Sequence, residues 1–338
     1  MLNTYIVAEV GPNHNGSIEM AIEMVRRISK IGVNAVKFQL SNPDNLYSLD
    51  SFKADYQKKN DSSETAKEMS AKRQLSLDEH KILYNECRNN KVDYLCTAFD
   101  SESLIFLDRH LDLPYFKIAS GEIFSIDMLG YMSNRDKPII LSTGMATFSE
   151  IETTINLLNR NGKKDIILLH CISNYPAPYR GVNLNVMNEL KKRFQYPVGF
   201  SDHTIGNDCA IAAVALGACL IEKHVTVDKN LPGPDHKSSS TIGEFADLVK
   251  SIKNIEIAMG SSQKNISEQE KEIARAVRKS IVSIRVLEPG EIIKETDICF
   301  KRPGTGFLPI EKDMIIGKRL RVKVEKDRVI TRNMIEWQ

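Results

Sequence analysis

Two lysines in this chain stand where an apolar core would not choose a cation. Lys37 lies within Ala35-Val-Lys-Phe38 and Lys117 within Tyr115-Phe-Lys-Ile118, and an unpaired charge in such surroundings is costly. Each needs an anion, supplied either by an internal carboxylate or by a ligand. Hydroxyls at Thr97, Ser120, Ser142 and Ser201 are natural donors to phosphate or carboxylate oxygens. By themselves, the lysines and hydroxyls specify only a phosphorylated or carboxylated small molecule. A second group is the pair His203 and His224. Two histidines at one rim can bind a divalent metal and leave positions open for water and substrate; they can equally be two hydrogen-bonded side chains. His14, inside Gly11-Pro-Asn-His-Asn-Gly16, reads as part of a tight turn, and His80, His110 and His236 carry no separate case.

The elements that must position these residues are short apolar runs alternating with helical segments. The runs are Tyr5–Val10, Ala35–Phe38, Tyr94–Thr97, Tyr115–Ile118, Ile139–Ser142, Ile166–His170, Val198–Ser201 and Leu220–Val225. Apolar on both faces, they suit parallel strands buried on both sides. Between them, Ser76-Leu-Asp-Glu79 and Thr147-Phe-Ser-Glu150 fit capping boxes, and Ile18–Ile31, preceded by Ser17, stops at Gly32. About eight βα units imply a doubly wound sheet or a closed (β/α)8 barrel. The barrel is favoured, because the count fits and no Gly-x-Gly-x-x-Gly follows a strand. Asn42 to about Lys72, long, polar and weakly patterned, reads as an extended loop over the strand ends.

Every run ends in groups that a core would not select. These are Glu9, Lys37 with Gln39, Thr97, Lys117 with Ser120 and Glu122, Ser142 with Thr143, His170 with Ser173 and Asn174, Ser201-Asp-His203, and Glu222-Lys-His224. One polar residue at a strand end is ordinarily the start of a loop; eight such ends converging on one barrel mouth make a site, since barrel chemistry lies at the C-terminal ends of the strands.

The chain of 338 residues has room for a barrel over 1–260, a polar linker over 261–279 and a small β-rich domain over 280–338, in which Pro289-Gly290 fits a type II turn. A balance of 46 basic against 44 acidic residues argues against nucleic-acid or membrane-surface binding, which would need a clustered basic face. No apolar stretch approaches the roughly 20 residues that span a bilayer, the N-terminus lacks a signal-peptide pattern, and the 6 scattered cysteines contain no C-x-x-C pair. A cytoplasmic location with reduced thiols is expected.

In chain order, the segments Ala8-Glu-Val-Gly-Pro-Asn-His-Asn-Gly16, Val36-Lys-Phe-Gln39, Lys117-Ile-Ala-Ser-Gly-Glu122, Leu141-Ser-Thr-Gly-Met145, Tyr175-Pro-Ala-Pro178, Gly199-Phe-Ser-Asp-His-Thr204, Ile221-Glu-Lys-His224, Gly233-Pro-Asp235 and Lys301-Arg-Pro-Gly304 carry a resemblance to the N-acetylneuraminate (sialic acid) synthases and their legionaminic and pseudaminic acid relatives. It covers essentially the whole chain, and the Phe-Ser-Asp-His and Lys-Arg-Pro-Gly segments are its most specific parts. The resemblance implies a TIM barrel followed by a type III antifreeze-like (SAF) domain, in a domain-swapped homodimer. It implies a transferase that condenses phosphoenolpyruvate with N-acetylmannosamine or a close N-acyl derivative; the alternative sugar is 2,4-diacetamido-2,4,6-trideoxymannose, the legionaminic acid precursor. His203 and His224 would hold a divalent cation, Mn2+ with Mg2+ or Co2+ as substitutes. Lys37, Thr97 and Lys117 would hold the phosphoenolpyruvate carboxylate, and Ser120, Ser142, Ser173 and Ser201 its phosphate, with Asn174 as the alternative to Ser173. Glu9, Gln39, Tyr175 and Asp235 would meet the sugar, and Arg302 its N-acyl group from the other subunit. Glu122 would be the carboxylate beside the attacking water and Glu9 a second proton carrier. One departure stands out: Cys96-Thr-Ala-Phe99 replaces the family's more usual Ser-Thr-Pro-Phe while keeping Thr97 and Phe99.

Overall fold

The computed structural model describes residues 4–337. The chain divides into two compact units, residues 1–260 and 261–338.

In the first unit all eight expected strands form, with ends shifted by one or two residues: β1 (Tyr5–Glu9), β2 (Ala35–Leu40), β3 (Asp93–Ala98), β4 (Phe116–Ile118), β5 (Ile139–Ser142), β6 (Ile166–Cys171), β7 (Val198–Asp202) and β8 (Leu220–Thr226). They pair in chain order, all parallel, and β1 also pairs with β8, Tyr5 opposite Leu220 through Glu9 opposite His224. The sheet is a closed barrel. A two-residue strand, β9 (Ser240–Thr241), extends the ladder beyond β8. Helices between the strands begin where the sequence places them: Ser17, Ser76 and Thr147 each accept a backbone N–H at a helix start, the last two in capping boxes.

Strand parity explains the interior. Val7, Ala35, Leu95, Ile140, Leu169 and Leu220 form one buried cluster inside the barrel, with Tyr5, Tyr115 and Ile167 partly buried against it. Side chains alternate across a strand, so the next inward positions are Glu9, Lys37, Thr97, Lys117, Ser142, Cys171, Ser201 and Glu222. An apolar plug thus closes the bottom, and the layer above it is polar. The opposite parity, with Phe38, Phe116, Phe200 and Ile221, packs under the helices in the larger core. Gly199 completes the inner layer by being small: a Cβ there would lie 2.5 Å from the Leu220 carbonyl oxygen and 2.7 Å from Leu169 Cδ2.

Residues 42–72, expected as an extended loop, contain three short helices, Pro43–Leu46, Asp55–Asn60 and Ala66–Ala71. Weak patterning hid them because side-chain-to-backbone bonds organise the segment more than an apolar stripe does. Buried Lys53 donates to the Asp61 and Ser63 carbonyls, both at 2.7 Å, and Arg73 pairs with Asp61.

The second unit has its own core of Ile281, Leu287, Ile293, Phe307, Ile315, Leu320, Val324, Ile330 and Ile335. Its strands β10 (Ser280–Ser283) and β11 (Ile298–Lys301) are antiparallel, and Gly290 has φ +80°, as the expected type II turn requires. The stretch 261–279 is not merely a linker: it holds a helix, Glu268–Val277, capped by Ser267 and tied to this unit by the Gly304 N–H donating to Arg275 O at 2.7 Å. Arg302 directly follows β11 and is exposed.

Gly199→Ala should overpack the inner layer and cost about 2 kcal/mol, read as a lower urea midpoint with an unchanged slope; an unaltered midpoint would show that the layer has slack.

Candidate active site

At the strand C-termini a cavity of about 300 Å³ is lined by Lys37, Thr97, Lys117, Ser120, Ser142, Ser173, Ser201, His203, Glu222 and His224. All seven residues expected at the anion are in this wall. Ser173 is there and Asn174 is not. The sequence signal for most of them is parity, two positions above an apolar inner residue.

Both lysines are buried and partnered. Lys37 pairs with Glu9, lies 3.7 Å from Glu222 and donates to Thr97 Oγ1 at 3.2 Å. Lys117 lies 3.8 Å from Glu222 and donates to Ser142 Oγ at 2.6 Å. The internal carboxylates that could satisfy the lysines are therefore present, yet the balance is uneven. Burial opposes charge on Glu222, but Lys117 and Lys37 outweigh it and hold its carboxyl below the usual range. Burial also dominates at Glu9 and, despite Lys37, pushes it up. Lys37 is raised, because Glu222 and Glu9 overcome its burial; Lys117 is lowered by burial, offset only in part by Glu222. Glu222 stands between the two lysines and Glu9 beside Lys37, so an anion entering from the cavity would meet Lys37 and Lys117 at the floor.

The histidines sit at the mouth with ring centroids 5.7 Å apart. His203 Nδ1 is 2.7 Å from Ile172 O, so Nδ1 donates and Nε2 keeps its lone pair. Tyr175 stacks on His203 at 4.1 Å. His224 Nδ1 is buried with no hydrogen-bond partner among the described residues, and lies 3.9 Å from Asp235 Oδ2. Burial lowers both imidazoles and keeps them neutral. His203 Nε2, with only Ser201 Oγ near it at 3.4 Å, and the unpartnered His224 Nδ1 fit a divalent cation, and no cluster of three or more His, Cys, Asp or Glu ligands occurs among the described residues. A cation here would have two protein ligands and several positions left for small molecules.

A second cavity of about 250 Å³ shares Gln39, Tyr56, Phe99, Tyr175 and His224 with the first and adds Asp235. Three expected sugar contacts, Gln39, Tyr175 and Asp235, thus lie on this side. Glu9 is sealed beneath, accepting from Gln39 Nε2 at 2.9 Å. Glu122, half-buried, is bonded by Ser125 and raised chiefly by burial; it lines neither cavity. Arg302 belongs to the second unit.

Sequence reasoning missed Tyr56, whose ring stacks on Tyr175 at 5.1 Å. Its helix is further tied over the mouth by Asn60 Nδ2 donating to Pro234 O at 3.0 Å. It also missed the outward pair behind the histidines: Lys223 Nζ donates to Asp202 Oδ2 at 2.7 Å and to Thr204 O at 2.6 Å, fully buried. Asp202 and Lys223 are opposite one another in the β7–β8 register, and each immediately precedes a rim histidine.

Fold and mouth together define a (β/α)8 enzyme of small anionic substrates. Residues 24–264 match the NeuB family and residues 278–336 the SAF domain; the chain belongs to the NeuB family. It is 41% identical over 333 residues to the N,N'-diacetyllegionaminic acid synthase of Campylobacter jejuni, covering 98% of this chain and 99% of that protein. It is 40% identical to the N,N'-diacetyllegionaminic acid synthase of Legionella pneumophila, covering 99% and 95%. Among solved structures it resembles the N-acetylneuraminic acid synthetase of Leptospira borgpetersenii crystallised with citrate, with a TM-score of 0.71 and 31% identity over 80% of this chain and 90% of that one.

Lys223→Met leaves Asp202 buried without its cation and should cost about 3 kcal/mol, read from the urea midpoint; a midpoint equal to that of the parent chain would remove the pair from the forces holding β7 to β8.

Proposed function

We propose that this enzyme condenses phosphoenolpyruvate with an N-acyl mannosamine-type aldose and water, giving a nine-carbon nonulosonic acid and phosphate. The observation that carries the reading is a pair of cavities meeting at His224, Tyr175 and Gln39. One has a cationic, hydroxyl-lined floor fit for a carboxylated phosphate ester; the other has amide, phenol and carboxylate groups fit for a polyol. The names of the Campylobacter, Legionella and Leptospira relatives support the same reaction class.

In this reading Lys37, Thr97 and Lys117 bind the carboxylate of phosphoenolpyruvate and Ser120, Ser142, Ser173 and Ser201 its phosphate. That arrangement orients C3 toward the second cavity, so positioning contributes as well as charge. Gln39, Tyr175 and Asp235 orient the open-chain sugar. His203 and His224 would hold a divalent cation, Mn2+ with Mg2+ or Co2+ as substitutes, which would supply Lewis acidity for the aldehyde. Glu122 would take a proton from the water that adds at C2 only by turning from Ser125 toward the cavity, which it does not line, and Glu9 holds Gln39 and Lys37 in place.

We assign the mouth a cover from a second copy. Phe52, Phe124, Met145, Tyr179 and Ile205 follow β2, β4, β5, β6 and β7 and expose large apolar area, 81% for Phe52 and 74% for Met145, as at an interaction surface. This supports a domain-swapped homodimer in which the partner subunit's Arg302 reaches the N-acyl group. No helix among the described residues is long and apolar enough to cross a membrane, consistent with cytoplasmic work on phosphorylated metabolites.

Three measurements test these assignments. Chelator-treated protein should release almost no phosphate from the two substrates and recover with Mn2+, while His203→Ala should not recover; full activity after chelation contradicts the metal assignment. Lys117→Met should weaken phosphoenolpyruvate binding by roughly ten- to a hundredfold, because a charge-assisted contact is lost; unchanged affinity by calorimetry makes Lys117 structural. Mixing Arg302→Ala with His203→Ala subunits should restore part of the activity, and no recovery under verified subunit exchange rejects the swapped arrangement.

A further inference from the structure

Among the inward positions directly above the apolar plug, Cys171 is the one that carries neither a charge nor a hydroxyl. It ends β6, lies opposite Ser201 in the β6–β7 register, is buried and lines the first cavity. Its Sγ is 3.2 Å from Ser120 Oγ, and the Gly144 N–H donates to that same oxygen at 3.0 Å. Gly144 has no left-handed backbone; what it supplies is room. A Cβ there would lie 2.4 Å from Ser173 Oγ, 2.8 Å from Ser120 Oγ and 2.9 Å from Cys171 Sγ. Two of the serines assigned to phosphate and one thiol therefore close round a single spot, and only a glycine fits beneath them.

A serine hydroxyl has one hydrogen to donate and two lone pairs. At Ser120 the Gly144 N–H occupies one lone pair. Burial raises the Cys171 thiol above its ordinary range, so it keeps its own hydrogen at neutral pH. If Ser120 donates to sulfur, its only hydrogen goes to a weak acceptor. If the thiol donates instead, the second lone pair is filled and the hydroxyl hydrogen is left for the cavity. A phosphate oxygen accepts a charge-assisted bond and so selects the second arrangement. Resting on the phosphate assignment made above, we infer that Cys171 is a positioning residue: it donates its S–H to Ser120 and thereby aims the Ser120 hydrogen at the phosphate of phosphoenolpyruvate. It acts through Ser120, not on the ligand.

The test measures phosphoenolpyruvate binding by calorimetry on the full chain with Mn2+. Cys171→Ala should weaken binding about three- to fivefold, the lower range for one bond between neutral groups. Cys171→Ser keeps a donor and should recover most of that loss. In a Ser120→Ala background Cys171→Ala should cost nothing further, because the group it acts through is gone. Infrared difference spectra give a readout that packing alone would not move: one S–H stretch should shift to lower frequency when phosphoenolpyruvate binds, and that band should be missing in Cys171→Ser. Equal losses from Cys171→Ala in both backgrounds, or S–H bands that binding leaves in place, overturn the inference while the phosphate assignment stands. So does a Cys171→Ala chain that binds as tightly as the parent. If Ser120→Ala leaves the affinity unchanged, or the parent does not bind phosphoenolpyruvate, the phosphate assignment fails and the inference with it.

Discussion

A closed barrel cannot hide a charge without answering it, and here the answer organises the whole mouth. Lys37, Lys117, Glu9 and Glu222 occupy one inward layer directly above an apolar plug. Water is excluded from below, so each charge must find its counter-charge sideways, across strands β1, β2, β4 and β8. Burial weakens the ionisation of Glu9, while Glu222 is held ionised by both lysines. The resulting excess of positive character belongs to the layer rather than to one residue. An entering ligand anion competes with Glu9 for Lys37, and the weakened ionisation of Glu9 lowers the cost of that exchange.

Parity makes this layer legible from the sequence. Once β2 is a strand buried on both faces, Ala35 and Lys37 must share a side, and the same holds for Leu95 with Thr97 and Ile140 with Ser142. A one-residue slip would bury Phe38 inside the barrel and turn Lys37 under a helix, so the register is strongly specified. For that reason the eight strands and the inward Lys37, Thr97, Lys117 and Ser142 were visible as polar residues two positions beyond an apolar inward neighbour, while the rim histidines were visible only by their place at the strand ends. The lysines' internal partners were only half visible: Glu9 and Glu222 stood out at strand ends, but which cation each meets depends on closure between β1 and β8, a contact separated by more than two hundred residues.

What the sequence did not disclose lies where no period exists. The wall contributed by residues 42–72 is held by Lys53 on the carbonyls of Asp61 and Ser63 and by Arg73 on Asp61. Such bonds depend on three-dimensional return of the chain and leave no alternation behind. Tyr56 was therefore unreadable as a site residue. The Asp202–Lys223 pair was hidden for a different reason. Its residues follow strand parity, but they face the helices, where ionisable groups are rare, and beside His203 and His224 they looked like part of the mouth.

The two kinds of element divide the work unequally. Strand-borne groups form the floor, and their positions are fixed by the layer beneath them; the loop-borne wall can change composition without disturbing that layer. The separation is incomplete, because Tyr56 stacks on Tyr175 and Tyr175 stacks on His203. A wall substitution that displaces the Asp55–Asn60 helix is transmitted through two aromatic contacts to the orientation of a rim imidazole. His203 resists that displacement through its bond to Ile172 O and through the buried pair at its back. The rim histidine is thus clamped between a rigid strand pair and an adaptable loop.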